Sequence, residues 1–232
     1  MTQISHHATS NALIRRHMAV KERLCAINDQ YQIHPKAVLL AVSKTRPSSD
    51  IATLYQAGQG DFGENYLQEA LIKMSELAHL PITWHYIGHI QRNKTKDIAT
   101  HFDWVQTVER DIIAKRLNDQ RPNELPPLNV LIQINIDDEM SKSGCHIDEL
   151  DELIKVVMSL PKLTLRGLMI IPNKDGTDAF VRTKALFDDI KARFNLAQFD
   201  TLSMGMSGDM EQALAHGSTM VRVGTAIFGK RD

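Results

Sequence analysis

Long apolar runs are missing from this chain. The longest clean one, Ala37 to Val42, falls far short of the roughly 20 residues that a membrane-spanning helix needs. The opening stretch, MTQISHHATSNALIRRHM, has no apolar core and no small-residue cleavage signature, so secretion is not signalled. Cysteine is nearly absent. Cys25 and Cys145 alone cannot build a disulfide framework or a cysteine metal site, which points to a reduced, cytoplasmic setting. An excess of one charge is lacking too, with 27 Lys plus Arg against 28 Asp plus Glu and a net charge of −1. Nucleic acid and anionic membrane both favour a basic field, so neither is expected as a partner. The G-x-G-x-x-G fingerprint of a doubly wound dinucleotide fold is also missing, because the turn after the first apolar run reads SKTRPSSD. Ten histidines are present, but only His85 and His89 share a ligand-like spacing, and they flank Gly88 outside any helix. No metal site is expected.

What is present is an alternation. After an amphipathic helix from about Asn11 to Gln30, with Leu13, Ile14, His17, Met18, Val20, Leu24 and Ile27 on its stripe, short apolar runs and helical patterns take turns. Residues ahead of that helix, His6 and His7 included, are expected to fray. The extended candidates are Ala37–Ser43, Gly60–Gly63, Ile82–Ile87, Trp104–Val108, Asn129–Ile136, Leu163–Ile171, Thr201–Met204 and Thr219–Val223. Between them, Ser48–Ala57, Tyr66–Ala78, Gln91–Thr100, a segment through Leu117, Ile147–Met158, Asp178–Phe194 and Gly208–His216 carry helical spacing. Strands alternating with helices imply a parallel sheet covered on its faces. Eight such units in 232 residues predict a single α/β domain over residues 1–232, a (β/α)8 TIM barrel with an extra N-terminal helix.

In such a barrel the chemistry sits where strands end. Lys44 leaves the first apolar strand directly. Partial desolvation there would lower its pKa and make it a nucleophile suited to a Schiff base, although a snorkelling or paired lysine would occupy the same position. At the other end of the chain, Ser207-Gly208-Asp209 opens the helix after strand seven, with Ser or Asp as its expected N-cap. Gly224-Thr225 follows strand eight. Loops after these two strands often hold phosphate, although capping and turn geometry would explain each one alone. An amine facing a phosphate cup suggests pyridoxal 5′-phosphate (PLP), which carries both an aldehyde and a phosphate. Arg222 lies between Val221 and Val223 and so points away from them, either into the barrel or onto the helix layer. If it met a PLP ring, its permanent charge would disfavour a protonated pyridine nitrogen. His85, in Trp84-His85-Tyr86, reads most simply as a satisfied core histidine. Lys142, in the loop SKSG, reads as surface unless the fold carries it over the rim.

Together these residues resemble the pyridoxal phosphate homeostasis protein family. The matching blocks are AVSKTRP with Lys44, FGENYLQEA with Asn65, WHYIGHIQRNK with His85, and the N-x-x-x-E-x-x-K-x-G stretch from Asn135 to Gly144. GLMIIP around Met169 and the long SMGMSGDMEQALAHGSTMVRVGTAIFG complete them, covering the chain from Val38 onward. The resemblance implies a PLP-binding barrel related to the N-terminal domain of alanine racemase. It assigns Lys44 as the Schiff-base lysine, Ser207, Gly224 and Thr225 as phosphate ligands, and Arg222 as the partner near the pyridine nitrogen. It places Asn65, His85, Met169 and Ser203 in the cofactor pocket. The implied function is holding PLP and supplying it to apo PLP-dependent enzymes, with no established turnover. The alternative is an amino-acid racemase-like enzyme on the same barrel. Racemases of this kind carry a further β-domain that helps complete a dimeric site, and this sequence ends at Asp232, soon after Gly224. The expectation is therefore no such domain, and a monomer.

Overall fold

Eight short runs, most of them rich in apolar residues, pair side by side and close on themselves. The strands are β1 (Val38–Val42), β2 (Asp61–Glu64), β3 (Thr83–Tyr86), β4 (Trp104–Val108), β5 (Leu128–Ile134), β6 (Leu163–Ile170), β7 (Thr201–Ser203) and β8 (Met220–Val223). All pairings are parallel and run in sequence order, and β8 returns to pair with β1. The computed structural model describes residues 2–139, 143–173 and 177–230. Among these, helices cover the outside: α1 (Thr2–Gln30), α2 (Ser48–Gln56), α3 (Leu67–Glu76), α4 (Thr95–His101), α5 (Asp111–Gln120), α6 (Ile147–Met158), α7 (Thr177–Arg193), α8 (Met210–Ala215) and α9 (Thr225–Phe228). The (β/α)8 barrel read from the sequence is the observed architecture.

The two faces of each strand do different work. Ala41, Phe62, Leu168, Leu202 and Val221 point outward and join the helices in one apolar core. The inward positions alternate with them. Gln106 on β4 bonds Ser203 on β7 and reaches Met220 Sδ on β8, contacts that only side chains crossing the interior can make. The strand N-terminal end is closed by Arg166, stacked over Trp104 at 4.8 Å and paired with Asp200 at 2.7 Å. Its Nη1 donates to Asn129 Oδ1 at 2.9 Å.

Several boundaries differ from those expected. Helix α1 begins at Thr2, so the backbone around His6 and His7 is helical rather than frayed. Once a helix is nucleated, each further residue adds a hydrogen bond at little entropic cost, and no Gly or Pro stops it. Helix α8 begins at Met210, two residues later than read, and a further turn, α9, follows β8 directly. Helix α1 packs on α9, α2 and α8, beside the seam where β8 meets β1. None of the described helices is long and apolar enough to cross a membrane.

Candidate cofactor site

The pleat of β1 aims Lys44. Leu40 and Val42 point inward, Ser43 points outward, and Lys44 therefore turns back over the barrel mouth. Both of its neighbours are anchored. Ser43 Oγ donates to Glu64 Oε1 at 2.6 Å, and its carbonyl accepts from Lys73 Nζ at 2.8 Å. Thr45 adopts a left-handed φ of 63° and donates its N–H to Glu69 Oε1 at 2.6 Å. Lys73 joins this outer cluster together, bonding Glu64 at 2.7 Å and Glu69 at 2.5 Å. Burial pushes the Glu64 carboxyl up, against the opposing pull of Lys73.

A cavity of about 370 Å³ opens at the strand C-terminal end, and Lys44, Asn65, Met169, Ser207, Arg222, Gly224 and Thr225 all line it. Seven of the nine residues expected from the sequence thus line one cavity. His85 and Ser203 do not line it. Both lie fully buried one layer deeper, inside the barrel. His85 stacks on Trp104 and bonds Asp61 at 3.1 Å, whereas His89 sits exposed near Glu109, so the two histidines share no site. Among the described residues no group of His, Cys, Asp and Glu could hold a metal. Lys142 lies outside the described residues.

Arg222 faces the interior. Its Nη1 donates to the backbone oxygen and the hydroxyl of Ser203, each at 2.9 Å, and its Nη2 to the Ile170 carbonyl at 2.8 Å. All three acceptors are neutral, and burial lowers its pKa to about 10, which leaves it charged at neutral pH. Asn65 Nδ2 donates to the Ile87 carbonyl at 3.4 Å, while its Oδ1 is buried with no partner.

Another part of the cavity lining is backbone. Asp209 occupies the N-cap position of α8 but makes no side-chain cap; its carboxylate accepts from Met206 N at 2.5 Å instead. Ser207 lies two residues before that N-cap position and lines the cavity. A Cβ on Gly208 would meet nothing within 4 Å, and one on Gly224 would sit 3.4 Å from the Val42 carbonyl at ordinary contact. Neither glycine has a left-handed φ, so the chain's own packing does not demand glycine there. A ligand approaching the backbone would. From behind, α1 secures both loops through Arg16 Nε to the Ile227 carbonyl at 2.7 Å and Arg23 Nη1 to the Ser207 carbonyl at 3.3 Å.

These residues fit PLP. An amine, a buried cation and an unpartnered acceptor face apolar surface from Val42, Ile87, Met169 and Phe228, and a glycine-and-hydroxyl end suits a phosphate. Two contributors escaped the sequence reading. Arg46 lines the cavity and donates to the Gly229 carbonyl at 2.7 Å, and its position two residues beyond Lys44 was the available signal. Gln106 was the other, a lone amide at an inward position of β4.

Comparison with known proteins adds the lineage. A family model described as alanine racemase, N-terminal domain, matches residues 18–232. A protein of Pasteurella multocida (strain Pm70) named pyridoxal phosphate homeostasis protein is 55% identical over 201 residues, covering 84% of this chain and 86% of that one. The structure of PipY from Synechococcus elongatus PCC7942 with PLP bound superposes with a TM-score of 0.82 at 30% identity, covering 94% of this chain and all of that one. Alanine racemase from Corynebacterium glutamicum shares the fold at 16% identity and a TM-score of 0.68, with 96% of this chain matched to 61% of that one.

Proposed function

Because this chain belongs to the pyridoxal phosphate homeostasis protein family, on the barrel of the alanine racemase N-terminal domain, we propose that it holds PLP covalently on Lys44. Its role on this reading is intracellular vitamin B6 homeostasis without strong catalytic turnover. One observation carries the reading: the amine of Lys44, the cation of Arg222 and the open-backbone loops at Ser207 and Gly224 meet on a single cavity. The relative from Pasteurella bears the homeostasis name and PipY was solved with PLP, which supports the same ligand here.

The residues divide the work. When bound, PLP supplies an aldehyde for capture by an amine and a ring that withdraws electrons from an attached amino acid. Lys44 provides the amine. Ser207 and Thr225 would donate hydroxyl hydrogen bonds to phosphate oxygens, and Gly208 and Gly224 would let backbone approach them. Arg222 would donate to the ring nitrogen and disfavour its protonation, which would weaken the ring as an electron sink. Asn65 Oδ1 would accept a donor from the ligand and Met169 would offer it apolar surface, with His85 and Ser203 supporting the site from beneath.

The remaining features of the reading are a single barrel domain over residues 1–232, a monomer, and a cytoplasmic home that suits two free thiols, Cys25 and Cys145. Apo PLP-dependent enzymes are its recipients. A visible absorption spectrum taken before and after borohydride reduction tests the core of it: a band near that of PLP-lysine adducts, fixed by reduction, is expected. A colourless protein that acquires no band with added PLP would sink the reading.

A further inference from the structure

A buried arginine with three neutral acceptors needs something to orient them, and the barrel interior supplies a connected chain. Arg222 Nη1 donates to Ser203 Oγ at 2.9 Å. The Ser203 hydroxyl has one proton, which goes to Gln106 Oε1 at 2.7 Å. Gln106 Nε2 then faces His85 Nδ1 at 3.0 Å. An amide nitrogen cannot accept, so Nδ1 must, and the neutral ring carries its proton on Nε2. That Nε2–H donates to Asp61 Oδ1 at 3.1 Å.

Every donation therefore runs the same way, from the guanidinium at the mouth to a carboxylate on the first residue of β2, four hydrogen bonds away. Gln106, His85, Ser203 and Arg222 are all buried, and Asp61 alone reaches solvent, with 34% of its side chain exposed. Gln106 is the link that decides the direction. Its amide is locked by His85 on one side and by Met220 Sδ at 3.1 Å, which is why its oxygen and not its nitrogen faces Ser203. With that oxygen in place the serine proton turns away from Arg222 and a lone pair turns toward it. Without it, the hydroxyl is free to rotate its proton against a cation.

We infer that Gln106, acting through Ser203 and backed by His85 and Asp61, is the positioning residue that holds the Arg222 guanidinium against the ring nitrogen of the ligand. The inference rests on the PLP reading above. It makes Gln106 a determinant of specificity for a pyridine over an otherwise identical ring, although it touches no ligand itself.

The test compares two ligands on the full-length protein: PLP, and its 1-deaza analogue, in which a C–H replaces the ring nitrogen. Binding is followed by absorbance or fluorescence titration. The unaltered protein should prefer PLP, and Gln106→Met should weaken PLP binding by about fivefold or more, the loss expected for a misaimed charged hydrogen bond. The deaza analogue should lose less than about twofold by the same bookkeeping, since it offers Arg222 no acceptor. Equal losses for both ligands overturn the inference and make Gln106 a packing residue. In the ligand-free protein, ¹⁵N spectra should show resolved Arg222 Nη signals that merge in Gln106→Met; signals unchanged by the substitution overturn it as well. If Gln106→Met does not fold, Gln106→Asn, which withdraws the amide by one methylene, is held to the same criteria. Unaltered protein that binds neither ligand refutes the PLP reading itself, whereas protein that binds both equally refutes the placement of Arg222 and leaves that reading standing.

Discussion

Leu40 on β1 and Arg222 on β8 are register partners across the seam that closes the barrel. Counting up the inward face of each strand from that pair reaches Lys44 on one side and Gly224 on the other. Residues 180 positions apart in the chain thus come to flank one cavity, and the Lys44 amine and the Gly224 loop are neighbours because the first and last strands are.

The first prediction concerns that amine. Lys44→Ala should abolish the visible band of the PLP adduct, because the side chain aimed over the mouth is gone. Peptide mass spectrometry after borohydride reduction of the unaltered protein should find the adduct on Lys44. Its recovery on a different lysine would show the assignment to be wrong.

Phosphate recognition can be separated from ring recognition. Ser207→Ala together with Thr225→Val removes two hydroxyl donors to a dianion, each worth roughly 1.5–3 kcal/mol as a charge-assisted hydrogen bond. Affinity for PLP should fall by about tenfold or more, and that for pyridoxal, which has no phosphate, far less. Parallel losses would move the phosphate elsewhere.

Turnover is expected to be absent or slow. On the proposed placement of Arg222, a guanidinium opposite the ring nitrogen would leave little stabilisation for a carbanion on an amino acid. Proton NMR of alanine, serine and glutamate in deuterated water with the holo-protein measures α-proton exchange. Exchange at about 1 s⁻¹ or faster, lost in Lys44→Ala, would falsify the carrier reading in favour of a racemase-like enzyme.

The ion pair behind Lys44 sets a stability prediction. Glu64 is fully buried, and Lys73 is its direct partner. Lys73→Met strands that carboxylate and should destabilise the protein by about 3–5 kcal/mol in urea unfolding. Adding Glu64→Gln should recover part of the loss, since the stranded charge is then removed. If the double variant is no more stable than the single one, the penalty does not come from the charge.

The two thiols should behave differently. Cys25 is exposed, while burial, with Glu149 and Glu109 nearby, pushes the Cys145 thiol up to about 11. At pH 8 about one Cys145 in a thousand would be the reactive thiolate. A thiol reagent at that pH should titrate one cysteine quickly in the native protein and the second only on unfolding. Two fast thiols in the native state would contradict the burial.

Much of this was legible in one dimension. The βα alternation needs only local patterns, since each apolar strand and each helix announces itself within a few residues. Lys44 was legible for the same reason, a cation set directly on the end of an apolar run. Ser207, Gly224 and Thr225 were legible as loop residues after the last two strands, positions where a barrel presents backbone to ligands.

Orientation and depth were not. In a parallel barrel both faces of a strand are buried, so the flanking valines of Arg222 could say only that it points away from them, not toward what. Closure of β8 on β1 turned it inward and gave it Ser203. His85 and Ser203 sit below the pocket rather than on it, and a single strand cannot encode this because height along a barrel depends on the stagger of all eight strands. Gln106 was invisible for a related reason: its meaning lies in contacts with β3, β7 and β8, none of them local. The sequence by itself determined the alternating elements and the residues at their ends, through short-range propensity and pattern. Only the closed tertiary structure decided which side chains meet across the interior, because those contacts depend on the register at which the sheet joins its own beginning.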